Sequence, residues 1–173
     1  PARQLARLVL EPVTEPDAVR ARMGWAPDVV HANDWQAALL PLLCKTMFGW
    51  DKLFAKTKTV LTLHNVGHQG TFGVHAIPEI GMAEVSQHFH QDELAAGRVG
   101  FLLTGILFAD AITTVSPTYA REIQTPEHGV GLDGFLRARK DVLVGILNGI
   151  DDDLWSPETD PLIARRYSAS SLE

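Results

Sequence analysis

Residues 58–70 read KTVLTLHNVGHQG and contain the transition on which the fold prediction depends. The first six, Lys58–Leu63, are mostly β-branched or apolar, and the run stops at His64-Asn65, after which glycines follow. Consecutive apolar residues are typical of a strand covered on both faces, as in a parallel sheet. The stretch therefore predicts a buried strand ending in polar side chains, which are either site residues or ordinary polar residues at a sheet edge.

Three further runs are also mostly apolar on consecutive positions: Asp28–Ala32, Ala111–Val115 and Val142–Leu147. Apolar residues at helical spacing predict helices between the strands: Trp35–Met47, Glu93–Ala109 and Pro117–Ile123. Pro41 predicts a kink or a late start in the first of these helices. Strands that alternate with helices predict an α/β fold with a parallel sheet, helices on both faces and right-handed crossovers.

The remaining segments complete the predicted domain. Residues 65–92 are rich in glycine and histidine and predict a long loop, which at that length is functional or mobile. Residues 1–27 predict a helix around Leu5–Leu10 and a linker at EPVTEP, leading into one domain over residues 28–173. Because the chain opens on Pro1 and its first methionine is Met23, we expect a piece of a longer protein.

Composition narrows the classes of function. The chain of 173 residues is 46% hydrophobic and 21% charged, which suffices for a packed core. A net charge of −6 argues against nucleic acid or an anionic membrane as the main partner, and no apolar run approaches the roughly 18 residues of a membrane span. The only cysteine, Cys44, predicts core packing and a reducing compartment, hence a cytoplasmic protein.

Hydrogen-bonding side chains follow each of the four predicted strands. They lie in the stretches HANDW (31–35), HN (64–65), SPTY (116–119) and NGID (148–151). In open parallel sheets, ligands bind beyond the carboxyl ends of the strands. Each stretch also has an ordinary local interpretation, since Asp34 and Ser116 suit helix caps and Asn148-Gly149 suits a tight turn. Four polar strand ends at one edge nevertheless favour a ligand crevice.

The residue types at these ends indicate a neutral ligand rich in hydroxyl groups, such as a sugar. A phosphate site is not indicated, because the sequence has no G-x-G-x-x-G or Walker motif and GVGLDG (129–134) follows no strand. The histidine spacings match no metal-binding pattern, so no metal is expected. A serine hydrolase is disfavoured, because Ser116 precedes a proline and lacks a G-x-S-x-G elbow.

Four segments taken together resemble one family. PDVVHANDWQAALLP, TLHNVGHQGTFG, FADAITTVSPTYAREIQTPEHGVGLDGFLRAR and VGILNGIDDDLWSPETDPLI are similar to segments of bacterial glycogen synthases and plant starch synthases. The resemblance implies retaining transfer of glucose from ADP-glucose, a substrate and not a cofactor, to the non-reducing end of an α-1,4-glucan (glycogen or starch). It also implies a GT-B fold of two Rossmann-like domains, of which this chain matches the later part of the N-terminal one.

The same resemblance assigns roles to individual residues. His64 would hydrogen-bond the 6-hydroxyl of the donor glucose, with its backbone carbonyl near the anomeric carbon, and Asn148 would join it at that hydroxyl. Asp34 would lie near the acceptor or the transferred sugar, and Trp35 would shape the pocket. Asn65 and Gln69 would hold the loop or contact sugar. The resemblance thus implies His64 and Asp34 as catalytic residues, and Asn148, Asn65, Trp35 and Gln69 as substrate-binding residues.

Departures from the family pattern leave alternatives open. The family's lysine-glycine-glycine loop and its C-terminal nucleotide-binding domain are not matched, so the chain alone is expected to be inactive and to require that domain for a complete cleft. Gln36, His68 and the stretch ELAAGRVGFLLTG (93–105) also differ from the usual residues. The alternatives are a non-catalytic glucan-binding module and, less favoured, a two-domain glycosyltransferase with another donor. A plant source would imply a plastid location.

Overall fold

The computed structural model describes residues 27–49 and 54–171, so the helix predicted around Leu5–Leu10 lies outside the described residues. The strands are β1 (Val29–Asn33), β2 (Lys58–Leu63), β3 (Thr71–Gly73), β4 (Arg98–Gly100), β5 (Ala111–Thr114) and β6 (Leu143–Gly145). The α-helices are α1 (Asp34–Ala37), α2 (Leu40–Lys45), α3 (Ala76–Glu79), α4 (Gln91–Ala95), α5 (Phe101–Phe108), α6 (Pro117–Glu122) and α7 (Asp133–Ala138). Two 3-10 helices cover Ala83–His88 and Lys140–Val142.

The main sheet has four strands in the order β1-β2-β5-β6, and every neighbouring pair is parallel. The predicted α/β fold with a parallel sheet is confirmed. Strand β2 has the predicted bounds, whereas β1 is displaced by one residue and β6 is shorter than predicted. The parallel arrangement brings the carboxyl ends of all four strands to one edge, which is what positions the candidate site.

The main core lies against one face of this sheet. Leu61, Leu63 and Ile112 are fully buried there, with apolar side chains from α5, α6 and α7. The residues that alternate with them in β2, such as Val60 and Thr62, are only partly buried. A second apolar cluster joins α2 to the segment 77–101 and includes Leu42, Met82 and Phe101 among others. Trp35 packs against both clusters, so its position is fixed by the core.

The prediction of one helix over Trp35–Met47 was wrong. Helix α1 ends at Ala37, and α2 begins at Leu40 with Pro41 in its first turn. Proline is tolerated in a first turn but breaks a helix interior, because it lacks an N–H group and clashes with the preceding turn. Of the two effects predicted for Pro41, a kink or a late start, the late start is the one seen in α2.

The prediction of one helix over Glu93–Ala109 was also wrong. Helix α4 ends before Gly97, whose φ of +75° is a left-handed conformation that terminates helices. The chain then forms β4, which pairs antiparallel with β3 in a two-stranded sheet, before α5 begins at Phe101. Residues 65–92 consequently contain a strand and two short helices as well as loop, and part of that segment is packed in the second cluster.

A polar cluster links β2, β5 and α2 at the edge of the sheet opposite the carboxyl ends of the strands. Asp110 Oδ2 accepts hydrogen bonds from Thr59 N at 2.8 Å and Thr59 Oγ1 at 2.9 Å, and Lys45 Nζ lies 3.1 Å from Asp110 Oδ1. Burial alone would raise the pKa of Asp110, but the Thr59 hydrogen bonds and Lys45 outweigh it and hold that pKa below its ordinary value. The ionised form of Asp110 therefore stabilises the fold.

The pKa of the neighbouring Cys44 thiol is raised, chiefly by burial and also by the negative charge of Asp110. A thiol with a raised pKa is a poor nucleophile at neutral pH. Cys44 is, however, only partly buried and belongs to neither apolar cluster, so the core packing predicted for it is not confirmed. Among the described residues, no helix is long and apolar enough to cross a membrane.

We expect Asp110→Asn to lower the free energy of unfolding at pH 7 by about 1–2 kcal/mol, because it removes the charge from these hydrogen bonds. The folded-state pKa of Asp110 is lowered, so its contribution is complete above the unfolded-state pKa of about 3.9 and is lost as pH falls through the lower folded-state value. Urea unfolding from pH 7 to pH 3 measures this. The difference between the two proteins should be constant above about pH 5 and shrink below pH 4; a constant difference throughout would contradict the assignment.

Candidate functional site

The ends of β1 and β2 bring Asn33, Asp34 and His64 together. The backbone N–H of His64 donates to Asp34 Oδ1 at 2.8 Å, and His64 Nε2 lies 3.0 Å from Asn33 Oδ1. The register of the two strands sets this arrangement, because Asn33 pairs with Thr62 and so lies beside the chain that leads to His64. His64 is thereby held at both its backbone and its imidazole, while its side chain stays exposed.

Asp34 does not cap helix α1. The N-cap is Asn33, which forms no side-chain cap hydrogen bond, and the Asp34 carboxylate is directed to His64 N instead. Asp34 also has φ of +51°, a left-handed conformation that costs a non-glycine residue on the order of 1–3 kcal/mol. Such conformations are concentrated at functional sites, where the surrounding structure maintains them. The functional interpretation of Asp34 is the one that this geometry favours over helix capping.

A cavity of about 290 Å³ opens beside these residues. It is lined by Asp34, Trp35, Gln36, Asn65 and His68. Three of the five are predicted site residues, and the other two are positions at which the sequence departs from the family pattern. Asp34 is the only lining residue with a fixed charge, and no lysine or arginine is among the five. The cavity suits hydroxyl groups and does not suit a diphosphate.

Trp35 forms a rigid wall of this cavity. Its ring packs on Phe72 with ring centroids 5.7 Å apart, and its side chain lies directly against Gly70. A Cβ atom on Gly70 would lie 2.4 Å from Trp35 Cε3, and Gly70 has φ of +60°. Glycine is thus required at position 70 both by the backbone conformation and by the close approach of the indole.

Asn65 and Gln69 both stabilise the loop that follows His64. Asn65 Oδ1 accepts from Gly67 N at 2.8 Å, and Gln69 Nε2 donates to the carbonyl of Val130 at 2.9 Å. Both residues were predicted to hold the loop or to contact sugar, and these hydrogen bonds hold the loop. Asn65 also lines the cavity. Gln69 does not line that cavity, so the structure does not place it in one site with Asp34 and Trp35.

The polar residues that follow β5 and β6, Ser116 and Asn148, differ in their contacts. Ser116 Oγ accepts from Tyr119 N at 2.9 Å, so Ser116 caps α6 as predicted. Asn148 lies beyond β6, is exposed and makes no hydrogen bond to any described residue. The structure therefore places Asn148 past the same edge of the sheet without bringing it into contact with His64. The tight turn predicted at Asn148-Gly149 is wrong, since neither residue has a positive φ and residues 146–150 form no turn.

Two residues of the site were not singled out from sequence. Asn33 contacts the His64 imidazole, and the Tyr119 hydroxyl accepts a hydrogen bond from Val66 N at 3.2 Å in the loop after His64. The signal for Asn33 was its place between His31 and Asp34 at a strand end. His31 itself bonds Thr62 Oγ1 at 2.6 Å, which agrees with a structural role. No group of three or more histidine, cysteine, aspartate or glutamate side chains in residues 27–49 and 54–171 could hold a metal ion.

Comparison with known proteins gives consistent matches. A family model described as the starch synthase catalytic domain matches residues 5–138. The glycogen synthase of Thermodesulfovibrio yellowstonii is 51% identical over 146 residues, covering 84% of this chain and 29% of the relative. The glycogen synthase of Thermotoga maritima is 48% identical over 147 residues, covering 85% of this chain and 30% of the relative. This chain thus spans about a third of the length of the relatives it matches.

A solved structure is similar over nearly the whole chain. The catalytic domain of starch synthase IV from Arabidopsis thaliana, bound to ADP and acarbose, aligns with a TM-score of 0.75 at 32% sequence identity. The alignment covers 99% of this chain and 34% of that chain. The similarity includes the parallel sheet and hence the edge at which His64 and Asp34 meet.

Proposed function

Because the chain belongs to the starch synthase catalytic domain family, we propose that it supplies one side of the cleft of a retaining glucosyltransferase. The proposed reaction moves glucose from ADP-glucose to the non-reducing end of an α-1,4-glucan. The observation that carries the proposal is the contact of Asp34 with His64 N beside a cavity free of basic residues. The ADP and acarbose bound by the Arabidopsis relative agree with a nucleotide-sugar donor and a glucan acceptor.

The geometry assigns a distinct task to each residue in this reaction. The Asp34 carboxylate fixes the backbone at His64, so the His64 carbonyl and imidazole are held in place before the sugar arrives. Asn33 fixes the orientation of the imidazole ring. Transfer with retention develops positive charge at the anomeric carbon, and fixed dipoles near that carbon stabilise it. Trp35 supplies an apolar wall for the C–H surface of the sugar, and Asn148, past the same edge of the sheet, supplies a carboxamide to the bound sugar.

The departing diphosphate needs cations, and the cavity beside Trp35 has none. We assign that stabilisation to the C-terminal nucleotide-binding domain proposed for the whole protein, because the relatives are about three times as long as their match to this chain. No metal or organic cofactor is required in this scheme, since ADP-glucose is a substrate. The resulting protein acts as a cytoplasmic glycosyltransferase of glycogen or starch synthesis.

The proposal predicts that the 173-residue chain does not catalyse transfer by itself. Incubation with ADP-[14C]glucose and glycogen should leave no label in the precipitated polymer above the level of a heat-denatured sample. The physical reason is that no cation among the described residues lines the cavity beside Trp35 to stabilise the charge of the leaving group. Incorporation well above that level would show that the chain contains a complete site.

A chimeric enzyme tests the proposed function itself. Residues 27–171 of this chain replace the matching segment of the Thermotoga maritima glycogen synthase, with which the chain is 48% identical over 147 residues. We expect the chimera to transfer glucose from ADP-glucose to glycogen, with the unmodified relative assayed in parallel. A chimera that folds, shown by cooperative thermal unfolding, and binds glycogen without transferring glucose would favour a non-catalytic glucan-binding module instead.

A further inference from the structure

The chain has three asparagines, Asn33, Asn65 and Asn148, and only Asn148 precedes a glycine, Gly149. Asparagine is among the chemically labile residues of proteins, because the main-chain nitrogen of the next residue can attack its carboxamide. A glycine in that next position hinders the attack least, since it has no Cβ and leaves the backbone free to rotate. The sequence thus singles out Asn148-Gly149 as a pair that can react with itself.

The structure leaves both reacting groups of this pair free. The Asn148 side chain is exposed, and neither its carboxamide nor the N–H of Gly149 has a hydrogen-bond partner in the part of the chain that the structure describes. The N–H of Ile146 still donates to the carbonyl of Thr114 at 2.8 Å, but residues 147–150 make no backbone hydrogen bond to any described residue. A Cβ at position 149 would have nothing within 4 Å, so the space around the pair is open.

The other two asparagines are held in place. The N–H of Val66, which would attack Asn65, donates instead to the Tyr119 hydroxyl at 3.2 Å. Asn33 belongs to strand β1, and its Oδ1 lies 3.0 Å from His64 Nε2. Local structure therefore reinforces the difference that the sequence makes between Asn148 and the other two.

We propose that Asn148 is a site of spontaneous deamidation. The Gly149 nitrogen attacks Cγ of Asn148 and closes a cyclic imide, while the Cγ–Nδ2 bond breaks and the side-chain nitrogen leaves as ammonia with the proton from Gly149. Water then opens the imide at either carbonyl. Cleavage of the new bond to Cγ gives aspartate, and cleavage of the original peptide bond gives isoaspartate. The net change consumes water and releases ammonia, so no oxidant, reductant or metal takes part.

The modification changes a group that the proposed reaction uses, and this consequence rests on the function proposed above. A carboxamide has two N–H donors and an acceptor oxygen, whereas a carboxylate only accepts hydrogen bonds. The modified residue therefore cannot donate to a sugar oxygen, and isoaspartate also displaces its carboxylate from the original side-chain position. Deamidation of Asn148 thereby lowers the rate of glucose transfer in the whole protein.

Mass spectrometry of peptides from the 173-residue chain, after incubation in a mildly alkaline buffer, measures the reaction. We expect the Asn148 amide to convert to the acid while Asn33 and Asn65 keep their amides, and an isoaspartyl methyltransferase to label the Asn148 peptide. The rate in the folded chain should lie within about threefold of that in the chain unfolded in urea, because a segment without backbone hydrogen bonds opens at almost no cost. A larger protection by the fold would overturn the proposal.

Gly149→Ala is the matched control for the chemistry. Gly149 has no positive φ and an added Cβ meets nothing within 4 Å, so the fold accommodates alanine, which cooperative thermal unfolding checks. Deamidation at Asn148 should slow by about tenfold or more, because the Cβ hinders the approach of the nitrogen to Cγ. An equal rate in the two proteins would show that the amide is not lost through attack by residue 149.

Asn148→Asp in the Thermotoga chimera tests the consequence for transfer. We expect kcat to fall by about tenfold, as for the loss of a hydrogen bond to the sugar. An unchanged kcat would overturn the consequence for transfer and leave the deamidation to be judged by the peptide measurements. The proposed function is judged by transfer in the unsubstituted chimera, so a transferring chimera together with a protected Asn148 rejects the deamidation alone.

Discussion

His64→Ala in the Thermotoga chimera is expected to reduce kcat for glucose transfer by about a hundredfold or more. The imidazole is positioned by Asn33 and the backbone by Asp34, so His64 is a preorganised group at the end of β2. Removing one preorganised polar group from a transfer site typically costs on the order of 10²–10³ in rate. Radiolabel incorporation into glycogen at saturating ADP-glucose measures the effect.

His75→Ala is the control for this substitution. His75 is also exposed, and its side chain neither caps helix α3 nor lines the cavity beside Trp35. Its kcat should stay within about twofold of the unsubstituted chimera, since surface substitutions away from a site have small effects. Equal activities of the His64 and His75 variants would mean that His64 has no part in transfer.

Gly70→Ala is expected to destabilise the 173-residue chain by about 2–5 kcal/mol. The left-handed conformation at φ of +60° costs alanine about 1–2 kcal/mol. The added Cβ would also lie 2.4 Å from the Trp35 ring, which packs on Phe72 and both core clusters and cannot move aside freely. Overpacking of this kind adds about 1–3 kcal/mol. Equilibrium urea unfolding gives the free energy.

Gly97→Ala separates the two contributions. Gly97 has φ of +75° but nothing within 4 Å of an added Cβ, so only the conformational cost of about 1–2 kcal/mol applies. A loss of stability in Gly70→Ala no greater than that in Gly97→Ala would show that Trp35 yields to the methyl group. In that case Trp35 would not be the rigid wall described above.

Sequence patterns predicted the parallel sheet because each strand is a short apolar run with a polar end, as in Lys58–Leu63 followed by His64. They failed between Glu93 and Ala109, where helical spacing continues through residues that form β4. The pairing of β4 with β3 depends on contacts between residues about 27 positions apart, such as Phe72 with Val99. Local periodicity does not report such long-range pairing, and Gly97 was the one local sign of a break.

The candidate site was predictable from sequence only in part, like the fold. The positions of Asp34, Trp35 and Asn65 around one cavity follow from the rule that the carboxyl ends of parallel strands share an edge. The contacts of Asp34 with His64 N and of Asn33 with the imidazole were not predictable, because they depend on strand register and on the positive φ of Asp34. The role of Gln69 as a link to Val130 required knowledge of a chain segment 61 residues away.

We propose that the edge of the sheet at Asp34 carries glucose transfer, and a matched pair of substitutions distinguishes this edge from the opposite one. Asp34→Asn and Asp110→Asn make the same chemical change at opposite edges of the sheet, each at an aspartate that accepts a backbone N–H. Both are assayed in the chimera, at a temperature where thermal unfolding shows each variant to be folded. We expect kcat to fall by about tenfold or more in Asp34→Asn and to stay within about twofold in Asp110→Asn. Equal kcat values for the two folded variants would contradict the claim.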